Sequence, residues 1–149
     1  MPAPWITDVK QVCVVVEDLD ATIKDYWESA GIGPWAVWTP ELTGMRIRGK
    51  EVPYKMKLAM AWTNCFMWEV VQPLEGPSIY REHLDQKGEG MHHVLVQTSD
   101  TDFEAIMQQF ETRGMPPLME GTWGQTQFAY INAPEADYFY PHRPDNMPL

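Results

Sequence analysis

Cysteine is scarce in this chain, long hydrophobic runs are missing, and bases are outnumbered by acids, and each shortage excludes something. Two cysteines among 149 residues, Cys13 and Cys65, both lie in strand-like segments. They imply no disulfide framework and read as small, packed, inert hydrophobes. No apolar run approaches the ~20 residues that a membrane span needs. The start, Met1-Pro2-Ala3-Pro4-Trp5, has no basic region followed by a hydrophobic stretch, so the expectation is a soluble, cytoplasmic protein with no membrane partner. Eleven bases stand against 21 acids, a net charge of −10. Nucleic acid is excluded as a partner on that ground, because its phosphates demand a basic footprint. What is there is apolar material for a core. At 44% hydrophobic, the chain reads as a single domain over residues 1–149.

The stretch Gly88-Glu89-Gly90-Met91-His92-His93-Val94-Leu95-Val96 ends a helix-like segment with a tight turn and opens an apolar strand with histidine at its mouth. The chain repeats itself around this point. Setting Gln11 against His93 (93 − 11 = 82) pairs Val12 with Val94, Val14 with Val96, Asp18 with Asp100 and Asp20 with Asp102. Two copies of one unit share a site between them as a rule. In the first copy, β-rich Val9 to Val16 runs into an acidic turn where Asp18 or Asp20 is suited to cap a helix. That helix carries Ile23, Tyr26, Trp27 and Ala30 and stops at Gly31-Ile32-Gly33-Pro34,. Strands are expected at Trp35 to Thr39, Gly44 to Arg48, Tyr54 to Trp62 and Cys65 to Gln72. A short helix through Tyr80, Leu84 and Asp85 bridges to the second copy, where strand Met91 to Thr98 and helix Asp102 to Arg113 precede strands at Leu118 to Gly121, Thr126 to Asn132 and Tyr138 to His142. The expectation is an α+β fold of two βαβββ modules, about 7–73 and 90–144 with a bridging helix at about 75–87, forming a curled mixed-sheet trough. Arg143 to Leu149 reads as a tail.

Alternation along strands places Gln11 with Cys13 and Val15, Glu69 with Cys65 and Met67, and His93 with Leu95 and Gln97. If these faces line the trough, an amide oxygen, a carboxylate and an imidazole converge as a mixed oxygen and nitrogen site for a divalent cation. Mg²⁺, Mn²⁺, Co²⁺, Ni²⁺, Zn²⁺ and Fe²⁺ all suit that set. A buried glutamate without a cationic partner is costly, which favours a metal there. Taken singly, each residue has a plain alternative: Gln11 ending a strand in solvent, Glu69 pairing with a lysine, His93 bonding a carbonyl. Arg46, Arg48, Lys50, Lys55 and Lys57 fall within twelve residues and alternate with apolar ones. Except at Lys57, they read as the solvated face of a hairpin rather than the seat of an anionic ligand tail.

The run from Asp18-Leu19-Asp20 to Gly31-Ile32-Gly33-Pro34-Trp35, then Trp68-Glu69-Val70-Val71-Gln72-Pro73, then Gly88-Glu89-Gly90-Met91-His92-His93, resembles the vicinal oxygen chelate superfamily of glyoxalases, bleomycin resistance proteins and extradiol dioxygenases. The glyoxalase I and methylmalonyl-CoA epimerase-like branch is the most similar, over nearly the whole chain. The resemblance implies that Gln11, Glu69 and His93 are metal ligands, that His92 points away from the trough by alternation, and that the protein is a homodimer. It also implies a fourth ligand in the final strand, where the family normally has glutamate. Here the segment offers Tyr140 or His142, as ligand or as acid or base. Lys57 falls where epimerases of the branch carry a catalytic glutamate and joins Tyr140 and His142 as a candidate for proton transfer.

The chemistry implied is chelation of vicinal substrate oxygens and abstraction of a neighbouring proton through a stabilised enolate or oxyanion, hence an isomerase or lyase acting on a small molecule. Seven tryptophans and ten methionines favour an apolar or aromatic substrate. The alternative from another class is metal-free sequestration of an aromatic ligand, as in the bleomycin resistance proteins, which leaves Glu69 and His93 unexplained. Extradiol oxygen chemistry on Fe²⁺ ranks last, since it ordinarily needs two histidines and a carboxylate.

Overall fold

The computed structural model describes residues 5–64, 66–99 and 102–132 together with the strand 137–142, and among them ten strands and three helices follow the expected order, with the two-residue strand Lys50–Glu51 as the one not expected. For the strand 137–142 and Asn132 only the backbone is described. Cys65 and the tail expected at 143–149 lie outside the described residues. Strand β1 (Ile6–Val15) buries Gln11, Cys13 and Val15 in strict alternation. Helix α1 (Leu19–Ala30) starts where the Asp18 carboxylate accepts from the Ala21 N–H, and it stops at Gly31, whose φ of 66° carries the left-handed turn that ends it,. The first copy continues through β2 (Ala36–Trp38), β3 (Leu42–Ile47), β4 (Lys50–Glu51), β5 (Lys55–Trp62) and β6 (Met67–Glu75). Helix α2 (Ile79–Lys87), capped by Ser78, leads into β7 (Gly90–Thr98). Then come α3 (Phe103–Thr112), capped by Asp102, and strands β8 (Pro117–Trp123), β9 (Thr126–Asn132) and β10 (Asp137–His142).

All ten strands form one mixed sheet in the order β2-β5-β6-β1-β7-β10-β9-β8-β3-β4. The fold is thus α+β, with two βαβββ modules, β1-α1-β2-β5-β6 and β7-α3-β8-β9-β10, joined through antiparallel β1 and β7. Gln11 pairs with Leu95, Val12 with Val94, and Cys13 with His93. Exchanging the modules with the offset of 82 returns the same three pairs, so an approximate two-fold axis passes between Val12 and Val94. The hairpin β3-β4 is an insertion in the first module that pairs with β8, the outer strand of the second.

That pairing forces the sheet to curl. Strands β2 and β3 are eight steps apart in the sheet order, about 38 Å if the sheet were flat. Only residues 39–41 separate them in sequence, and such a link reaches at most about 14 Å. The two ends therefore approach each other, and Trp38 of β2 stacks on Trp123 of β8 with ring centroids 5.5 Å apart. Inside the curl lie Val15, Ile47, Leu58, Val71, Met119 and Phe128, with Tyr80 of α2 among them. Outside, α1 covers Val16, Ala59 and Val70 through Leu19, and α3 covers Val96, Ala129 and Ile131 through Ile106 and Phe110. Among the described residues no helix is long and apolar enough to cross a membrane.

Candidate functional site

The polar side chains that a curled sheet should exclude gather inside it. Gln11 is fully buried, Glu69 is 5% exposed and His93 is 2% exposed. Strands β6, β1 and β7 lie side by side, and their register sets Cys13 level with Glu69 on one flank and with His93 on the other. Gln11 is one pleat further along β1, and its side chain spans the gap: its Nε2 donates to Glu69 Oε2 at 2.6 Å. Glu69 Oε2 is also 3.3 Å from His93 Nε2. Among the described residues no lysine or arginine pairs with this carboxylate, and the Gln11 Oε1 atom is buried without a hydrogen-bond partner.

Cys13 is the member that the sequence reading set aside as inert. Its thiol, the Glu69 carboxylate and His93 offer ligand atoms within 4.8 Å of one another. Burial, reinforced by the Glu69 charge, pushes the thiol well above its ordinary range,. The signal was present in the sequence, because Cys13 shares the face of Gln11, but a lone cysteine in a strand carries little weight until its neighbours across the sheet are known.

His92 departs from expectation. Strict alternation would turn it out of the curl, yet the register moves from Cys13 opposite His93 to Val14 opposite Met91. His92 is thus the extra residue of a β-bulge, and a bulge breaks the period of two. Both rings then lie on the inner side, with Nδ1 atoms 2.9 Å apart. His92 is 8% exposed and packs against Tyr80 and Tyr130. Burial, with His93 and His83 close by, pulls its pKa down to about 3, so it is neutral. The hydroxyls of Tyr80 and Tyr130 share a short hydrogen bond. Burial raises both well above the phenol range, so these groups keep their protons.

Lys57 is not part of this group. Met56 and Leu58 point into the curl, so alternation sends Lys57 outward, where its Nζ donates to Asp20 Oδ2 of α1 at 2.6 Å. Two other bases of that stretch are matched by acids: Arg48 forms a two-pronged pair with Glu82, and Lys55 pairs with Glu75. Arg46 and Lys50 lie on the β3-β4 hairpin, whereas Lys55 and Lys57 lie on β5, which pairs with β2 and β6.

Backbone register bears on the fourth position. Parallel β6 sets Glu69 level with Cys13, and Leu95 is the two-fold counterpart of Cys13. Parallel β10 sets Phe139 level with Leu95. The backbone counterpart of Glu69 is therefore Phe139, one residue before Tyr140. On the other side Phe139 is level with Tyr130 of the inner layer, whereas Tyr140 is level with Ala129 of the outer layer and His142 with Gln127. The side chains of Tyr140 and His142 lie outside the described residues.

Gln11, Glu69 and His93 fit a divalent cation. Donors about 2.1 Å from a common ion stand roughly 3.0–3.4 Å apart in octahedral or tetrahedral geometry. The Glu69 to His93 separation falls in that range, and the unpaired amide oxygen of Gln11 is a ready third donor. Cys13 adds a softer donor beside them,.

Comparison with known proteins points the same way as this geometry. The family model described as the glyoxalase/bleomycin resistance protein/dioxygenase superfamily matches residues 10–130. The structure of methylmalonyl-CoA epimerase from Mycobacterium tuberculosis is similar over 97% of this chain and 93% of its own, at 16% identity and a TM-score of 0.65. A hypothetical protein from Bacillus halodurans C-125 is similar over 95% and 98%, at 17% identity and a TM-score of 0.66. A methylmalonyl-CoA epimerase in complex with methylmalonyl-CoA and NH4+ is similar over 94% and 96%, at 17% identity and a TM-score of 0.63. Such identities carry the fold alone. No curated protein matches this chain.

Proposed function

We propose, because this chain belongs to the glyoxalase/bleomycin resistance protein/dioxygenase superfamily, that it is a metal-dependent isomerase or lyase acting on a small molecule through vicinal oxygens. Gln11, Glu69 and His93 would hold the ion. One observation carries this reading: a carboxylate buried to 5% exposure, bonded to a glutamine and 3.3 Å from an imidazole nitrogen, with no lysine or arginine opposite it among the described residues. An uncompensated buried carboxylate costs several kcal/mol, and a divalent cation offsets that cost. When bound, such an ion stabilises negative charge developing on substrate oxygens by several kcal/mol.

The chain's own groups divide the remaining work by their protonation. Glu69 is the one acidic side chain among the described buried residues, so proton abstraction beside the chelated oxygens falls to its carboxylate. Tyr80 and Tyr130 keep their protons and can only donate, toward an oxyanion or each other. Lys57 takes no part, since Asp20 holds it on the outer surface. The Trp38 and Trp123 stack where the sheet ends meet supports an apolar or aromatic substrate,. Homodimerisation belongs to the same proposal and is read directly by light scattering.

The test is elemental analysis of protein purified without added metal, beside Glu69→Ala and His93→Ala. Near-stoichiometric metal in the parent and its loss in both variants is the expected result, and it directs substrate screening toward isomerase and lyase reactions. A parent that takes up no Mn²⁺, Co²⁺, Ni²⁺ or Zn²⁺ sinks the enzyme reading in favour of a metal-free binder of aromatic ligands.

A further inference from the structure

Buried polar side-chain atoms are nearly always hydrogen-bonded, and the inner layer of the curl holds a phenol that is not. Tyr54 immediately precedes β5 and shares the inner face of that strand with Met56 and Leu58,. It is 4% exposed, and its hydroxyl has no hydrogen-bond partner among the described residues. Burial lifts the phenol above its ordinary range, so the hydroxyl keeps its proton,. The backbone at this point is clamped: Gly76, just past β6, packs so closely that a Cβ on it would stand 3.1 Å from the Tyr54 Cα. The Tyr54 ring meets Tyr80 edge-on, with centroids 6.2 Å apart. Tyr80 in turn meets Tyr130, and Tyr130 meets His93, at 5.7 and 4.8 Å. Tyr54 is thus the far end of a row of rings that leads from the candidate metal ligands along the inside of the curl. Trp38, packed against the same inner cluster, has a second buried donor without a partner, its Nε1–H. Both orphans are uncharged, and no lysine or arginine is among the described buried residues.

We propose that Tyr54 is a substrate-binding residue whose hydroxyl donates to an uncharged oxygen, a carbonyl, ether or hydroxyl, on an apolar or aromatic substrate. The inference deepens the functional reading above and rests on it for the claim that the curl receives a small molecule. A donor left buried and unpaired destabilises the empty protein, and an oxygen brought in by a ligand relieves that cost. A hydrocarbon of the same shape relieves nothing. A carboxylate or phosphate would lose its hydration with no lysine or arginine to meet it. A purely structural phenol makes the opposite demand, because it would be bonded inside the protein and removing its oxygen would strand the partner. The hydroxyls of Tyr80 and Tyr130 are bonded to each other, and among the described residues none accepts from Tyr54.

The experiment titrates parent and Tyr54→Phe, both metal-free in chelator, with three probes of one shape: acetophenone, ethylbenzene and benzoate. Binding is followed by ¹H–¹⁵N correlation spectra, and urea denaturation of the two proteins runs beside it. We expect the parent to bind acetophenone roughly tenfold more tightly than ethylbenzene, and benzoate more weakly than acetophenone. In Tyr54→Phe the preference for acetophenone over ethylbenzene should vanish, while the urea midpoint stays at or above that of the parent. Ethylbenzene or benzoate binding the parent as tightly as acetophenone overturns the proposal, as does a preference that survives in Tyr54→Phe. A lower urea midpoint in Tyr54→Phe overturns it too, by showing that the hydroxyl is bonded in the empty protein, and so does a parent that binds none of the three. Should Tyr54→Phe not fold, the hydroxyl is structural and the proposal falls. The preference in a parent that takes up no divalent ion supports Tyr54 and overturns the enzyme reading, whereas bound metal without the preference does the reverse.

Discussion

Glu69 is held in a setting that serves binding at the expense of stability. Its carboxylate is buried beside Gln11 and His93 with no lysine or arginine partner among the described residues. Glu69→Gln should therefore leave the metal-free protein as stable as the parent, or more stable by about 1–3 kcal/mol, while weakening divalent metal binding at least tenfold. Parallel urea denaturation and calorimetry check both halves. His92 has the complementary liability. Its folded pKa of about 3 lies below its ordinary value of 6.5. Between those values the unfolded chain takes up a proton that the folded chain refuses, so His92 lowers stability as pH falls from 6.5 toward 3 and costs nothing above 6.5. The slope from this one group is at most about 1.4 kcal/mol per pH unit. Denaturation of the metal-free protein at pH 7.5, 6, 5 and 4 should show a shallower decline in His92→Asn than in the parent.

At the scale of elements, helix ends and strand periods were legible because they are local. The Asp18 cap, the Gly31 stop and nearly every strand follow from neighbouring residues, whose donors and torsions are satisfied within a turn or two,. Helix α3 of the second copy is capped by Asp102, the counterpart of Asp18 at an offset of 84 rather than 82. The strand-to-helix link of the second copy has gained length, which a fixed offset cannot show. The bulge at His92 was not legible, since a period of two has no local mark where one residue is added on one side of a ladder. Gly76 links β6 to α2 with φ of 76°, and a Cβ there would meet the carbonyl oxygen of Pro53. Gly76→Ala combines left-handed strain with a backbone clash and should cost about 2 kcal/mol or more. It should also loosen α2, the element that carries Ile79 and Tyr80, and thermal unfolding with tyrosine NMR line widths reads both effects.

For the whole molecule, a cation held between strands β1, β6 and β7 would tie both modules together and so stabilise the fold as one unit. At a metal concentration 100 times the dissociation constant, linkage predicts about 2.7 kcal/mol, a rise in Tm of roughly 5–10 °C for a chain of this size. Chelator should reverse it, and Glu69→Ala should show no rise. The sequence by itself determined nearly all the elements and pointed to Gln11, Glu69 and His93 as inward-facing polar residues of neighbouring strands, because the side-chain period of a strand and the repeat of a module are written in spacing. Only the tertiary structure decided that Lys57 faces Asp20, that Cys13 stands between Glu69 and His93, that Phe139 is the backbone counterpart of Glu69, and that β3 closes the sheet against β8. Each of these depends on which strand lies beside which and in what register. Register is settled by packing the whole apolar interior at once, and no window of the sequence contains it.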